Sequence, residues 1–143
     1  MATLSRWQAD DGGQLLIISG GGGVGKTSLT LRWLHTVRDQ FPDGQLYADL
    51  GGFSARGPAT PAEVLESFLL SLGVAAEQVP EKLAAREAMY RSLTADRSLA
   101  VLLDDAASAA QVRPLVPTGA NRVVVATSRR RLTGLAMEGA RFV

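Results

Sequence analysis

The chain has 143 residues, 46% of them hydrophobic, with 15 basic and 14 acidic side chains for a formal net charge of +1. That size suits one domain with a full core and leaves little room for a second, while the balance of charge excludes bulk attraction to nucleic acid or an anionic membrane. Cysteine is absent, which excludes disulfides and thiolate metal sites.

Residues 1–13 read as a lead-in and 14–143 as one α/β domain. Gln14-Leu15-Leu16-Ile17-Ile18-Ser19 predicts a buried first strand. It runs directly into Gly20-Gly21-Gly22-Gly23-Val24-Gly25-Lys26-Thr27, a loop of the form G-x-x-x-x-G-K-[ST] whose register is set by Gly20, Gly25, Lys26 and Thr27. Glycines there allow positive backbone dihedrals and close approach, so that successive amides converge on phosphate oxygens at the start of a helix whose dipole favours anions. The pattern assigns Gly20, Gly22, Gly23, Val24, Gly25, Lys26, Thr27 and Ser28 to phosphate binding, with Lys26 reaching the β- and γ-phosphates and Thr27 holding Mg2+. Lysine occurs only at 26 and 82 beside 13 arginines, which singles out the one in this loop.

Leu29, Trp33, Val37 and Phe41 recur every four residues and predict a first crossover helix over 27–40, with Arg32, His35 and Arg38 off its apolar stripe. Pro42-Asp43-Gly44 is turn chemistry, and a second strand follows over 45–50. After a loop rich in breakers, Thr60, Pro61 and Glu63 form a capping-box start for a helix whose face is Val64, Leu65, Phe68, Leu69 and Leu72 and whose end is Gly73. A further helix is predicted over 80–94 with Leu83, Tyr90 and Leu93 on one side. Leu99-Ala100-Val101-Leu102-Leu103 is a continuous apolar run, the form of a parallel strand covered on both faces, and it stops at Asp104-Asp105. Ser108 with Gln111 offers a second capping box for a short helix closed by Pro114 and Pro117, and 122–127 is a β-branched strand that delivers Ser128 and Arg129.

Strands alternating with helices imply right-handed crossovers and a parallel sheet, and ligands of such sheets bind beyond the carboxyl ends of the strands. Three strand ends carry suitable groups: the loop from Gly20, the pair Asp104 and Asp105, and Arg129. Asp104 suits the acid that orients Mg2+, usually through its waters, and Asp105 is a candidate to orient or deprotonate an attacking water. A solvated turn or helix cap is the alternative for the pair. Arg129 is a candidate contact of the γ-phosphate, and a solvated basic cluster with Arg130 and Arg131 is its alternative. Asp49 ends the second strand, where it faces the cleft or serves a turn, and His35 is assigned no role.

With these residues the chain resembles the nucleotide-binding core of the NB-ARC class of STAND signalling ATPases, and most closely the version inside SARP-type antibiotic-regulatory transcriptional regulators of actinomycetes. The stretches that carry the resemblance are Gly22-Gly23-Val24-Gly25-Lys26-Thr27, Phe41-Pro42-Asp43-Gly44-Gln45-Leu46-Tyr47-Ala48-Asp49-Leu50, Val101-Leu102-Leu103-Asp104-Asp105-Ala106, Ala110-Gln111-Val112-Arg113-Pro114-Leu115 and Thr127-Ser128-Arg129-Arg130. It implies a three-layer P-loop NTPase fold of the ASCE type with sheet order β1, β4, β3, β2 and a fifth strand outside β1. It also implies an ADP/ATP switch with slow Mg2+-dependent hydrolysis at most, in which Thr27 and Asp104 serve the metal, Asp105 the water and Arg129 the γ-phosphate. Neighbouring helical and winged-helix domains and a nucleotide-dependent homo-oligomer follow from the same resemblance. Arg141-Phe142-Val143 looks like the beginning of the fifth strand, so the domain is expected to stop before that strand is formed.

A small-molecule kinase would use the same loop, but no arginine-rich lid and no acceptor-binding carboxylate after the second strand stands out. An isolated module that no longer hydrolyses nucleotide is the other alternative. No segment approaches the ~20 apolar residues of a membrane span, and residues 1–11 lack a signal-peptide core, so the expectation is a soluble cytoplasmic domain without membrane or direct DNA contact.

Overall fold

The computed structural model of the chain describes residues 14–19, 24–51, 57–128 and 141–142, with side chains described at 15, 28–51 and 57–128. Five strands are present among them: β1 (Gln14–Ser19), β2 (Gln45–Asp49), β3 (Leu99–Asp104), β4 (Arg122–Ser128) and β5 (Arg141–Phe142). All pair in parallel, in the order β2-β3-β4-β1-β5. That is the expected order, and it includes the strand expected to be missing: Arg141 and Phe142 pair with Leu16 and Ile17. The fifth strand is two residues long among the described residues.

Helices α1 (Val24–Thr36), α2 (Pro61–Ser71), α3 (Leu83–Thr94) and the one-turn α4 (Ala109–Val112) complete the described architecture. Helix α1 covers one face of the sheet, where Trp33, Leu34, Val37 and Phe41 pack on Ala100, Leu102, Val123 and Val125. Helices α2 and α3 cover the other, where Val64, Leu65, Phe68, Leu69 and Tyr90 pack on Leu46, Val101, Leu103, Val124 and Ala126. Cover on both sides explains why Leu99 to Leu103 reads as an unbroken apolar run: all five are fully buried.

Local chemistry sets the helix boundaries. Thr60 accepts from the Glu63 amide, Pro61 opens α2, and Gly73 takes φ +100 just beyond its end. Two predicted faces are corrected. Leu29 is 48% exposed, because the buried face of α1 runs through Thr30, Trp33 and Leu34, continued by Val37 just past its end, and leaves Leu29 on its flank. Leu83 is likewise exposed, since α3 begins there rather than at Pro80 and buries Tyr90 and Thr94 further along.

At the amino-terminal side of β4, Gly119 is buried against the end of α3. A Cβ at this position would overlap the Arg97 carbonyl oxygen and lie 2.7 Å from that of Thr94. Both obstacles are backbone, so Gly119→Ala is expected to lower the unfolding free energy by about 2 kcal/mol, measured by urea denaturation.

Tyr90 donates its hydroxyl to the Leu115 carbonyl at 2.7 Å, and burial pushes its phenol far above the ordinary value of 10.0. Below that value both folded and unfolded chains keep the proton. Above it only the unfolded chain releases it, so stability is expected to fall by about 1.4 kcal/mol per pH unit once pH passes roughly 10. Tyr90→Phe should flatten that alkaline slope, which urea titrations of both proteins across this range will read.

Candidate functional site

Because the strands are parallel, their carboxyl ends share one edge of the sheet, and that edge is polar. Asp49 pairs in register with Asp104, and Ser19 with Ser128. Alternation assigns the faces. Ala100 and Leu102 of β3 and Val123 and Val125 of β4 lie on the α1 side, so Asp104 and Thr127 follow them there, as does Asp49 across from Asp104. Helix α1 begins at Val24, five residues after β1 ends at Ser19, a span of no more than about 18 Å even if fully extended. Its first turn contains the backbone of Gly25, Lys26 and Thr27, and Ser28 next to them is exposed. Gly20, Gly22, Gly23 and Arg129 lie outside the described residues, and so do the side chains of Val24, Lys26 and Thr27.

The acid pair is held by the end of β4. Thr127 donates its hydroxyl to Asp104 Oδ1 at 2.6 Å, and Thr127 Oγ1 in turn accepts the Asp105 amide at 2.9 Å. One residue on, the Ala106 amide donates to the Thr127 carbonyl at 2.8 Å, and Ser128 Oγ donates to the Ala106 carbonyl at 2.9 Å. Asp105 has φ +59, the only positive φ outside glycine among the described residues. A left-handed conformation costs a residue with a Cβ about 1–3 kcal/mol, aspartate being among the more tolerant types, and such residues gather at functional sites. The strand alternation ends there.

Asp49 takes the turn role: its Oδ1 accepts the Gly51 amide at 3.0 Å. Tyr47, half exposed on the same face, has its pKa raised above 10.0 by partial burial first and then by the charges of Asp104 and Asp49. Its phenol therefore lies within the field of both carboxylates. Among the described residues no three acidic or imidazole side chains gather into a metal-binding group. The hard oxygens at Asp104 are donors of the kind Mg2+ takes in ones and twos.

Gln111 ties this edge together in a way the capping-box pattern does not anticipate. Ser108 Oγ does accept the Gln111 amide at 3.2 Å. The Gln111 side chain, instead of returning to the cap, accepts the Ala107 amide at 2.7 Å and donates to the carbonyls of Leu50 and Ala59, each at 2.8 Å. It thus joins both ends of the β2–α2 connection to the segment just past Asp105. Leu50 also donates its amide to the Asp104 carbonyl at 2.7 Å. Thr127 and Gln111 are the residues that reading the sequence missed as parts of this edge; the one available signal was a hydroxyl and an amide inside otherwise apolar stretches.

No helix among the described residues is long and apolar enough to cross a membrane. No family model matches the chain. Two curated relatives do, both called regulatory protein AfsR: that of Streptomyces coelicolor is 50% identical and that of Streptomyces griseus 48% identical, each over 119 residues that make up 83% of this chain. The chain spans 12% of the length of either relative. It is homologous, over most of its own length, to one segment of the AfsR-type regulatory proteins.

Proposed function

We propose that this chain is the ADP- and ATP-binding core of a nucleotide-operated switch within a regulator of transcription, built as an ASCE-type P-loop NTPase domain of the NB-ARC and STAND kind. The observation that carries the reading is the run from β1 through G-x-x-x-x-G-K-T into α1, on the sheet edge where Asp104 ends β3. The homology to proteins named as regulators supports the regulatory half of it.

In this reading the amides of residues 20–28 hold the α- and β-phosphates and Lys26 neutralises the β- and γ-phosphates. Thr27 and Asp104 would hold Mg2+, which when bound offsets phosphate charge and orients the terminal phosphate. Asp105 orients a water, and Arg129 contacts the γ-phosphate. Turnover is slow, because transition-state charge also needs groups that neighbouring helical and winged-helix domains or another copy in a homo-oligomer supply. Calorimetric titration of the chain with ADP and with ATP in Mg2+ tests the proposal. Saturable binding of either supports it, and the absence of heat from both overturns it.

A further inference from the structure

We propose that Thr127 is a positioning residue that sets both acids of the site at once, through a single hydroxyl shared between the Asp104 carboxylate and the Asp105 backbone. The inference rests on the nucleotide-binding reading above and adds to it a residue outside the phosphate loop and the acid pair.

Three observations carry it. Thr127 follows Val123, Val124, Val125 and Ala126 in a strand buried on both faces, and it is itself only 4% exposed. Were packing its only task, a fourth valine would fill the place at lower desolvation cost, since a hydroxyl taken out of water needs partners. Both kinds of bonding a hydroxyl offers are used, the proton toward Asp104 Oδ1 and a lone pair toward the Asp105 amide. The bond to Asp104 is short, as befits a hydroxyl on a carboxylate. Finally, the residue whose amide Thr127 holds is the one in the left-handed conformation, so the hydroxyl anchors the strained turn as well as the metal-side acid.

The geometry also links these acids to the exit of β4. The Ala106 amide bonds the Thr127 carbonyl, and Ser128 returns a bond to the Ala106 carbonyl, so hydrogen bonds tie residues 104–106 to 127–128.

The test compares the wild-type chain with Thr127→Val and Thr127→Ser by ADP calorimetry, once in Mg2+ and once in EDTA. Valine keeps the shape and removes the hydroxyl; serine keeps the hydroxyl. Thr127→Val is expected to weaken ADP binding about tenfold in Mg2+ while staying within about twofold of wild type in EDTA, and Thr127→Ser should remain within about threefold in both. A loss in Thr127→Val that is equal in the two buffers, or no loss in either, overturns the proposal. Should Thr127→Val fail to fold, amide hydrogen exchange at Asp105 in the wild-type chain decides: added protection with ADP and Mg2+ but not with ADP in EDTA supports the role, and equal protection sinks it. A wild-type chain that binds ADP in neither buffer removes the nucleotide reading itself, and this inference falls with it, an outcome distinct from the variant-specific ones.

Discussion

Lys26→Ala is expected to weaken ADP and ATP binding about a hundredfold in calorimetric titrations, which corresponds to roughly 2.7 kcal/mol. The size follows from what the side chain is assigned to do. A hydrogen bond to a charged group contributes about 1.5–3 kcal/mol, and an ammonium between two phosphates makes more than one. The backbone amides of the loop remain in the variant, so some binding persists. Alanine is at least as good a helix former as lysine, and position 26 lies in the first turn of α1, so the fold should survive and circular dichroism should match that of the parent chain. Lys26→Arg is expected to recover little, because a planar fork does not replace a compact point charge. An affinity for Lys26→Ala within twofold of the parent would remove the loop from the site.

The second large effect is on stability. Gln111→Met keeps length and volume but takes away the acceptor of the Ala107 amide and the donors to the Leu50 and Ala59 carbonyls. Three hydrogen bonds are then lost at a position that is almost wholly buried, although the Leu50 carbonyl still accepts the Ala59 amide at 2.9 Å. At about 1 kcal/mol or more for each, the loss should reach about 3 kcal/mol, or roughly 10 °C in melting temperature for a chain of this size. Gln111→Glu is expected to be no milder, since it sets a carboxylate against two carbonyl oxygens. If both variants melt with the parent, the clasp contributes nothing and the Leu50 and Ala59 segments are held by other contacts.

What could be read in the amino acids was whatever depends on neighbours in the chain. The apolar run from Leu99 to Leu103 announced a strand covered on both faces, and Asp104 stands at its end as expected. Val64, Leu65, Phe68 and Leu69 turned inward together as their spacing required. The sheet order came from resemblance rather than periodicity, and the pairing agrees with it. Leu29 was misplaced because counting back four residues from Trp33 weighs apolar residues only, and the actual face contains the polar Thr30. Gln111 escaped because a cap pattern looks three residues away, while the partners of its amide are 61 and 52 positions distant. Thr127 escaped for the same reason: the carboxylate it holds belongs to a strand 23 residues earlier.

The pairing of β1 has a consequence for how the protein is made. Among the described residues its neighbours are β4 and β5, more than a hundred positions later, and closing so long a loop is slow. During synthesis at about 5–20 residues per second, Leu15 and its strand therefore wait several seconds for a mate. Over that interval β2, β3 and the helices between them can assemble first, leaving the apolar stretch of β1 without its partners in the sheet.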